Sequence, residues 1–493
     1  MDGLDHETCY QAVTRRDARF DGRFYTAVTT TGIFCRPSCP ARTPKASNVR
    51  FYPLAATASE AGFRPCRRCR PELAPGHAAW NRRTDLTGQA LKAIEAGTVD
   101  RIGVAGLAAQ LGVSERHLRR ELNETVGTGP LQLARARRIW LARLLLDQTN
   151  LSVTDIAFAA GFGSLRQFND SIRHTFDAPP SALRSRVRPL DRPNTVALQL
   201  PSRGPWRGDS LLGFLSMRAI PGLESQAEGC FRRNVPGGWV ELSQSPGGAD
   251  GLTLRCSLER LSDLAELVPI VRRVADLDTD LEAIEAHLGR DEILAGRLDS
   301  TDLARLPGTF DRFELAVRAV VGQQVSVAAA RTLLGRLVAL ASSDEPSSGD
   351  EARALDGIDP APVERFPSAE TLARCSLDRL GMPASRRQTI QALARAVVDG
   401  QVMLAAHANP EQTRQRLLAV PGIGPWTAGY ITMRALSDPD GWPAGDLVLR
   451  KSLGTTAAEL ERRAKRWQPF RAYAALLLWR TSTPTTTPTR GES

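Results

Sequence analysis

The sequence predicts a multidomain α+β protein, and three patterns along its 493 residues support this prediction. Four cysteines stand in two close pairs near the start of the chain. Two strings with helical spacing follow them. A segment of alternating apolar and polar residues then gives way to a second helical region. At ~100–200 residues per domain, the length accommodates three or four domains.

The domain boundaries are predicted from these changes of pattern. A stretch rich in proline and arginine, RVRPLDRPN, indicates a linker. Alternation in VALQL and GLTLRCSL, with turns such as VPGGW, indicates an antiparallel sheet. We predict a small α/β domain at 1–79, an all-α domain at 80–187 and the linker at 188–194. A sheet domain at 195–290, a second all-α domain at 291–480 and a disordered tail at 481–493 are predicted to follow. A surface loop is expected at 342–362.

The composition limits the classes of function. A net charge of +10 favours a nucleic-acid partner, although a solvated basic surface is the alternative. Eight cysteines, four of them in close pairs, indicate a reducing compartment rather than a disulfide framework. No apolar run approaches ~18 residues, so no membrane span or membrane partner is expected. The polar start MDGLDHETCY excludes a secretory signal, and we expect a cytoplasmic protein.

The paired cysteines predict a metal site. Cys35 and Cys39 form C-x3-C, and Cys66 and Cys69 form C-x2-C, which is the spacing of a tetrahedral zinc site with four thiolates. From Cys35 through Arg70 the chain has eight basic residues and one acidic residue, so the site is expected to face a polyanion. Such zinc sites are commonly structural, but a zinc-bound thiolate can still attack a soft electrophile such as a methyl group. The spacing alone leaves both roles open.

The strings TTGIFCRPSCPAR and FRPCRRC resemble the N-terminal domain of the Ada family of DNA alkylation response proteins, over about residues 8–75. The resemblance implies one Zn²⁺ that is both structural and thiolate-activating. It also implies that Cys35 accepts a methyl group from a DNA phosphotriester, once and irreversibly. Methylation would remove one negative charge and so tighten DNA binding. Candidate phosphate contacts, each with a solvated surface role as the alternative, are Arg36, Arg42, Lys45, Arg64, Arg67 and Arg68.

Two helix-turn-helix patterns occupy the middle of the chain, at 102–122 and 152–176. Each has an apolar helix face, a glycine at the turn and a serine that caps the second helix. A basic helix, PLQLARARRIWLARLLLDQ, joins them. The pair, followed by FDAPPSALR, resembles the AraC-type DNA-binding domain.

The exposed faces of the two second helices are predicted to reach base edges. Arginine can pair with guanine and glutamine with adenine. The candidates are Arg116, His117, Arg119, Arg120, Leu165, Arg166 and Gln167, and the sequence does not show which of them touch bases. In the joining helix, Arg135, Arg137 and Arg138 are equally compatible with a solvated face.

The string VPGIGPWTAGY (420–430) is a helix-hairpin-helix signature. Its Gly422 and Gly424 let the backbone approach a DNA phosphate, which by itself indicates non-specific DNA contact. Asp446 follows in WPAGDLVLRK. These strings resemble the AlkA-type 3-methyladenine DNA glycosylases over about residues 195–480. The resemblance extends to FELAVRAVVGQQVSVAAARTL, LGMPASRRQTI, RAYAALLLW and an opening strand region that includes LLGFLSMRAI.

The resemblance to AlkA-type glycosylases implies the chemistry of base excision. Asp446 would stabilise the oxocarbenium-like sugar or orient water after the damaged base has left the stack. Trp426, Tyr430 and Trp479 match the aromatic cleft for a cationic base, with core packing as the alternative for aromatics at this spacing. Trp426 stands where strand-cutting relatives have a lysine, so a monofunctional glycosylase is expected. Gln324 stands at the position of the family's apolar wedge.

Together these observations predict one zinc-binding domain, one double helix-turn-helix domain, and a sheet domain joined to all-α helix-hairpin-helix glycosylase domains. The predicted protein is a fused regulator of the response to DNA alkylation and a repair enzyme. Its predicted partners are damaged and promoter DNA and RNA polymerase, and we expect a monomer associated with a bacterial nucleoid. The alternatives are a transcription regulator with an inactive glycosylase fold, and a zinc or redox sensor. Proteins of the Ada family usually end in a methyltransferase domain with a Pro-Cys-His-Arg active site. No such string occurs in this sequence, so direct repair of O6-methylguanine is not predicted.

Overall fold

The computed structural model describes residues 5–73, 85–185, 195–227, 229–248, 250–344 and 365–482. The chain divides into two compact units. The first comprises Met1–Trp206, Leu223–Thr279 and Ala405–Asn409, and the second Arg207–Gly222, Asp280–Leu404 and Pro410–Ser493. The predicted linker at 188–194 lies outside the described residues, as do 345–362 of the predicted loop and 483–493 of the predicted tail.

The N-terminal part of the first unit is a four-stranded sheet with order β3-β1-β2-β4, flanked by two helices. The strands are β1 Tyr25–Val28, β2 Ile33–Cys35, β3 Val49–Tyr52 and β4 Arg64–Pro65, and the helices are His6–Arg15 and Ala55–Glu60. Tyr25, Phe34 and Ala58 form its small core. Strands β2 and β4 pair in parallel, so the residues that follow them emerge at the same edge.

The all-α region of the first unit contains both predicted helix-turn-helix motifs. Its helices are Leu86–Glu95, Thr98–Gln110, Glu115–Val126, Pro130–Gln148, Val153–Ala159, Leu165–Phe176 and Pro180–Leu183. Ser114 and Ser164 cap the second helix of each motif, and each accepts a 3.2 Å hydrogen bond from the backbone N–H three residues on. Gly112 (φ +70°) and Gly161 (φ +85°) make the turns. The predicted caps and turns are therefore confirmed.

The last part of the first unit is a five-stranded antiparallel sheet with order β5-β9-β8-β7-β6. The strands are β5 Thr195–Pro201, β6 Glu224–Ala227, β7 Cys230–Val235, β8 Gly238–Gln244 and β9 Gly251–Leu258. Val196, Leu198 and Leu200 are buried while the residues between them are not, which confirms the predicted alternation. The helix Leu264–Val274 follows the sheet.

The second unit is helical within the described residues. Its helices are Asp209–Met217, Leu281–Leu288, Glu292–Leu298, Arg312–Val321, Val327–Asp344, Ala369–Arg374, Ala384–Val398, Pro410–Leu418, Pro425–Ala435, Leu447–Leu453, Ala457–Ala464 and Arg471–Ser482. Trp442, Trp467 and Tyr473 are central to one of its cores. The string LLGFLSMRAI was expected in a strand region, but most of it is helical because its apolar residues do not alternate. None of the helices in the described ranges combines the length and apolar character needed to cross a bilayer.

Candidate functional site

The parallel pairing of β2 with β4 assembles the four cysteines. Cys35 ends β2 and Cys66 follows β4, with the Cys66 N–H bonded to the Phe34 carbonyl at 2.9 Å. Tight turns then bring in Cys39 and Cys69, and the four Sγ atoms lie within 4.8 Å of one another. Thiolates bound to one zinc at ~2.3 Å would be ~3.8 Å apart, so the cluster needs only a small contraction.

The chemistry of the four sulfurs also fits a cation. Hydrogen bonds with Cys39 and Cys69, followed by burial, raise the pKa of the Cys35 thiol. The four sulfurs therefore cannot all be thiolates unless a positive charge lies among them. Cys35 is partly exposed, whereas Cys39 and Cys69 are buried. Cys66 is partly exposed as well, so exposure leaves Cys35 and Cys66 as the ligands that a large molecule could reach.

The C-x3-C loop is held by its neighbours. The Asp21 carboxylate accepts hydrogen bonds from the Ser38 N–H at 3.0 Å and the Ser38 Oγ–H at 2.5 Å. Arg36 donates from its backbone N–H to Cys69 Sγ at 3.5 Å and from Nε to the Cys69 carbonyl at 2.6 Å. The two cysteine pairs are thus joined by protein contacts as well as by any metal.

The basic residues around the cysteines fall into two groups. Arg36 is engaged with Cys69, and Arg64 forms a 2.8 Å ion pair with Asp177. Four others have exposed side chains and are better placed to meet a phosphate backbone: Arg42, Lys45, Arg67 and Arg68. Of the predicted phosphate contacts, these four therefore have the side chains that are most accessible to DNA.

The second helices of both helix-turn-helix motifs present polar faces. Arg116, Arg119 and Arg120 are exposed, and Arg120 contacts the His117 ring at 3.1 Å. In the second motif, the Arg166 side chain is 93% exposed. A groove of about 620 Å³ beside this helix is lined by Arg135, Ser164, Arg166, Gln167, Asp170 and His174.

The joining helix Pro130–Gln148 departs from one expectation. Arg137 and Arg138 both form ion pairs with Asp100, and their side chains are only 12% and 17% exposed. The reading of these two arginines as a solvated face is therefore wrong. They are drawn inward because Asp100, on the neighbouring helix, offers a carboxylate to both.

Asp446 is the N-cap of the helix Leu447–Leu453 and sits among indole groups. Its Oδ1 accepts hydrogen bonds from the Leu449 N–H at 2.8 Å and from Trp479 Nε1 at 3.2 Å. Its Oδ2 accepts one from Trp426 Nε1 at 2.7 Å. The residue is 7% exposed. A buried carboxylate held by three N–H donors has a fixed orientation, as a catalytic group requires.

The three predicted cleft aromatics do come together. Trp426 and Tyr430 lie one turn apart on the helix Pro425–Ala435 and stack with centroids 5.2 Å apart at 8°. Trp479 lies 6.4 Å from Tyr430 at 58°. All three border Asp446 or one another, so the structure brings the predicted cleft residues together.

The hairpin glycines and Gln324 occupy distinct backbone positions. Gly422 has φ +86°, and a Cβ there would lie 1.9 Å from Thr389 Oγ1. Gly424 is the N-cap of the helix Pro425–Ala435. Gln324 is exposed with φ +55°, at the turn before the helix Val327–Asp344. Strained positions of this kind cluster at functional sites.

Comparison with known proteins adds to this geometry. Family models for the metal-binding domain of Ada, a helix-turn-helix domain and the AlkA N-terminal domain match residues 8–72, 107–186 and 197–311. A probable bifunctional transcriptional activator/DNA repair enzyme AlkA of Mycobacterium tuberculosis is 44% identical over 491 residues, covering 97% of this chain and 96% of the relative. The chain belongs to this bifunctional Ada/AlkA family.

Two relatives match separate parts of this Ada/AlkA family chain. The DNA-3-methyladenine glycosylase 2 of Escherichia coli is 31% identical over 56% of this chain and 94% of its own length. The bifunctional transcriptional activator/DNA repair enzyme Ada of Escherichia coli is 42% identical over 32% of this chain and 43% of its own length. The resemblances predicted from the sequence are confirmed, and with them the predicted zinc site and the capacity to bind DNA.

Sequence reasoning missed two arginines beside the predicted cleft of this family member. Arg218 and Arg434 lie 3.8 and 4.7 Å from the Phe214 ring centroid, and Arg434 donates to the Tyr430 hydroxyl at 2.8 Å. Burial raises the pKa of Tyr430, but the charges of Arg434 and Arg218 outweigh burial, and the net shift is downward. Arg434 stands one turn from Tyr430 and could have been found by helical spacing. Phe214 and Arg218 come from a distant segment and could not.

Gln323 is a second residue that the motifs did not reveal. Its Nε2 donates to the Gly422 carbonyl at 3.1 Å and to Thr427 Oγ1 at 3.0 Å. Its own carbonyl accepts a 2.6 Å hydrogen bond from Arg386. Gln323 therefore fastens the hairpin, while its neighbour Gln324 points outward.

Proposed function

We propose that this member of the Ada/AlkA family is a transcriptional activator that responds to DNA alkylation and also repairs it. It accepts a methyl group from DNA methylphosphotriesters at Cys35, and it hydrolyses the N-glycosidic bond of alkylated bases such as 3-methyladenine. Family membership along the whole chain supports both activities. The observation that carries the glycosylase assignment is the Asp446 carboxylate, held by two indole N–H groups beside an aromatic cleft.

The methyl transfer follows from the cysteine cluster. Zn²⁺ held by Cys35, Cys39, Cys66 and Cys69 would keep the sulfurs ionised at neutral pH. Cys35 Sγ attacks the methyl carbon, a C–S bond forms, and the bond from that carbon to the phosphotriester oxygen breaks. The leaving group is an ordinary phosphodiester, and the product is a thioether with no route back. The partial exposure of Cys35 supports its choice over Cys39 and Cys69, and the resemblance to Ada supports it over Cys66, which is also partly exposed.

The same transfer changes the electrostatics of the domain. Each methylation removes one negative charge from the cysteine cluster, close to exposed Arg67 and Arg68. The repulsion between this cluster and DNA phosphates then falls, and binding tightens. Arg42 and Lys45 are the other exposed cations that support the contact.

The methyl acceptor can be located without a variant. After incubation with methylphosphotriester DNA, peptide mapping of the wild-type protein is expected to find one methyl group, on Cys35. Cys9 is a fully buried cysteine outside the cluster, and it serves as the internal control that stays unmodified. A methyl group on Cys39, Cys66 or Cys69 instead would refute the assignment.

Base excision is assigned to the cleft around Asp446. An N-alkylated purine is cationic and leaves readily, so the enzyme needs a carboxylate to stabilise the positive sugar rather than a strong acid. Trp426 and Tyr430 stack directly on each other, so a flipped base would use the remaining ring faces, including that of Trp479. Trp426 has no amine, so no Schiff base forms there and the product is an abasic site.

The glycosylase assignment is tested by base release from methylated DNA. Asp446→Asn is expected to lower the rate at least a hundredfold, because the amide cannot stabilise the cationic sugar. The matched control is Asp399→Asn, which makes the same change at an exposed helix end of the same unit. Equal release by the wild type and Asp446→Asn, or none by either, would instead favour a regulator with an inactive glycosylase fold.

The activator role requires a partner beyond DNA. We propose that RNA polymerase is that partner, that the protein acts as a monomer, and that it is found on the bacterial nucleoid. Arg166 and Gln167 in the second motif are the best-exposed candidates for promoter reading. Transcription of a reporter in vitro by methylated and unmethylated protein tests this role, with Arg166→Ala expected to weaken activation.

A further inference from the structure

The sheet domain of residues 195–279 touches the regulatory part of the chain through built polar contacts. We propose that this domain, which opens the repair half, docks in cis on the helix-turn-helix and zinc domains, so that the two halves are joined by an interface and not by the linker alone. The proposal concerns packing and depends on neither the reaction at Cys35 nor that at Asp446.

The first contact lies at the end of the joining helix. Gln148, its last residue, donates from Nε2 to the Gln199 carbonyl at 3.2 Å and accepts from the Gln199 N–H at 2.6 Å. Gln199 lies on β5, which is an edge strand of the five-stranded sheet. The carboxamide therefore satisfies both backbone groups of an edge residue, as a neighbouring strand would.

The second contact lies at the helix Leu264–Val274. Arg137, oriented by Asp100, donates to the Ala265 carbonyl in the first turn of this helix. A Cβ built on Gly161, at the turn of the second helix-turn-helix motif, would lie 3.8 Å from the Ala265 Cβ. The backbone of that turn thus packs directly on the sheet domain.

Two further side chains extend this patch. The Arg272 guanidinium lies 5.5 Å from the Trp140 ring centroid, with its side chain only 11% exposed. Arg101 forms a 3.3 Å ion pair with Glu266. Both contacts join the sheet domain to the helix-turn-helix domain beside Arg137.

The third contact reaches the zinc loop. Arg203, 6% exposed, donates from Nη2 to the Asp21 carbonyl at 2.6 Å, and its own N–H bonds to the Leu277 carbonyl at 2.7 Å. Asp21 is the residue whose carboxylate holds Ser38, between Cys35 and Cys39. One arginine therefore links the sheet domain to the loop that bears the proposed methyl acceptor.

The docked arrangement leaves the DNA-reading faces open. Arg166 remains 93% exposed, and Arg116, Arg119 and Arg120 are exposed as well. The predicted linker at 188–194 is short, so it keeps the sheet domain and the helix-turn-helix domain at a high effective concentration relative to each other. An interface of modest strength is then enough to keep the two domains docked.

Hydrogen exchange on the intact, zinc-loaded chain tests the docking. Ala265→Arg places a long cation against Gly161, and we expect several-fold faster exchange in the helix Val153–Ala159 and in residues 98–101. These segments belong to the helix-turn-helix domain, and their faster exchange while β7 and β8 stay protected distinguishes undocking from unfolding of the sheet domain. The matched control is Ala227→Arg, the same substitution at an exposed position of the same domain, and it should leave them unchanged.

Two milder variants keep the test decisive if Ala265→Arg does not fold. Gln148→Ala removes the paired hydrogen bonds to Gln199 and should speed exchange in β5. Arg203→Met should speed exchange in residues 35–39 through the loss of its bond to Asp21. If the folded variants all exchange like Ala227→Arg in these segments, the docking proposal is wrong.

Discussion

At the residue scale, the two hairpin glycines differ in what they tolerate. Gly422 has φ +86° and faces Thr389 Oγ1, so a side chain there meets both backbone strain and a clash. Gly424 has φ −89° and ψ 177°, which any residue adopts, and no atom lies within 4 Å of a Cβ built there. The two glycines of one motif therefore serve different purposes.

Gly422→Ala is expected to lower the free energy of unfolding by about 1–3 kcal/mol, from the left-handed backbone alone, and more if Thr389 cannot move. The Gly422 carbonyl also accepts a hydrogen bond from Gln323, which fastens the hairpin. The affinity of Gly422→Ala for DNA should therefore fall together with its stability. Gly424→Ala is the control and should leave stability nearly unchanged. Chemical denaturation of both variants measures the difference, and equal losses would contradict this account.

The same residues show what sequence can and cannot predict. Gly422 and the serine caps are recognisable because each is defined by its immediate neighbours in the chain, and Asp446 because of its interval after the hairpin and the family resemblance. Arg218 beside Phe214, and Arg203 against Asp21, depend on segments far apart in sequence. Such contacts are set by packing, and no local pattern of one sequence encodes them.

At the element scale, the short 3-10 turn Pro71–Leu73 places the carboxyl group of Glu72 in the protein interior. Glu72 lies 3.6 Å from Arg143 on the joining helix, and its Oε2 is buried without a hydrogen-bond partner. Arg143 is already paired with Asp147 at 2.9 Å, and Arg70 binds the same Asp147 at 2.5 Å. Burial raises the pKa of Glu72 from 4.5 to about 7, with the nearby arginines opposing the rise.

The raised pKa of Glu72 predicts a pH dependence. Because the folded state holds the proton more tightly than the unfolded state, the free energy of unfolding falls as pH rises from about 4.5 to about 7, and the loss persists above pH 7. Glu72→Gln should flatten this dependence and be more stable than the wild type at pH 8. Thermal melting across this range measures it. Glu60→Gln, at an exposed position of the same domain, is the control.

At the scale of the whole molecule, the two compact units differ in what stabilises them. The zinc domain belongs to the first unit and has two small buried clusters, one around Phe34 and one around Phe24. The second unit has a large core around Trp442 and Trp467 and no cysteine cluster among its described residues. Domains with so little core usually need a metal.

Chelation of zinc is therefore expected to destabilise only the first unit. Calorimetry of the holoprotein should show two transitions, and a strong chelator should lower one of them while base release from methylated DNA continues. Restoring zinc should restore the lowered transition. A parallel drop in both transitions would mean that the second unit also depends on the metal.

The strand pair β2–β4 has a consequence for how this chain assembles. It contains only two residue pairs, yet it closes the chain between Cys39 and Cys66, 26 residues that cost about 3 kcal/mol in closure entropy. That loop also contains β3, which pairs with β1 over four residue pairs, so the protein itself holds part of the closure. Zinc bound by both cysteine pairs would clamp the rest, and chains made without zinc are therefore expected to complete this part of the fold less readily.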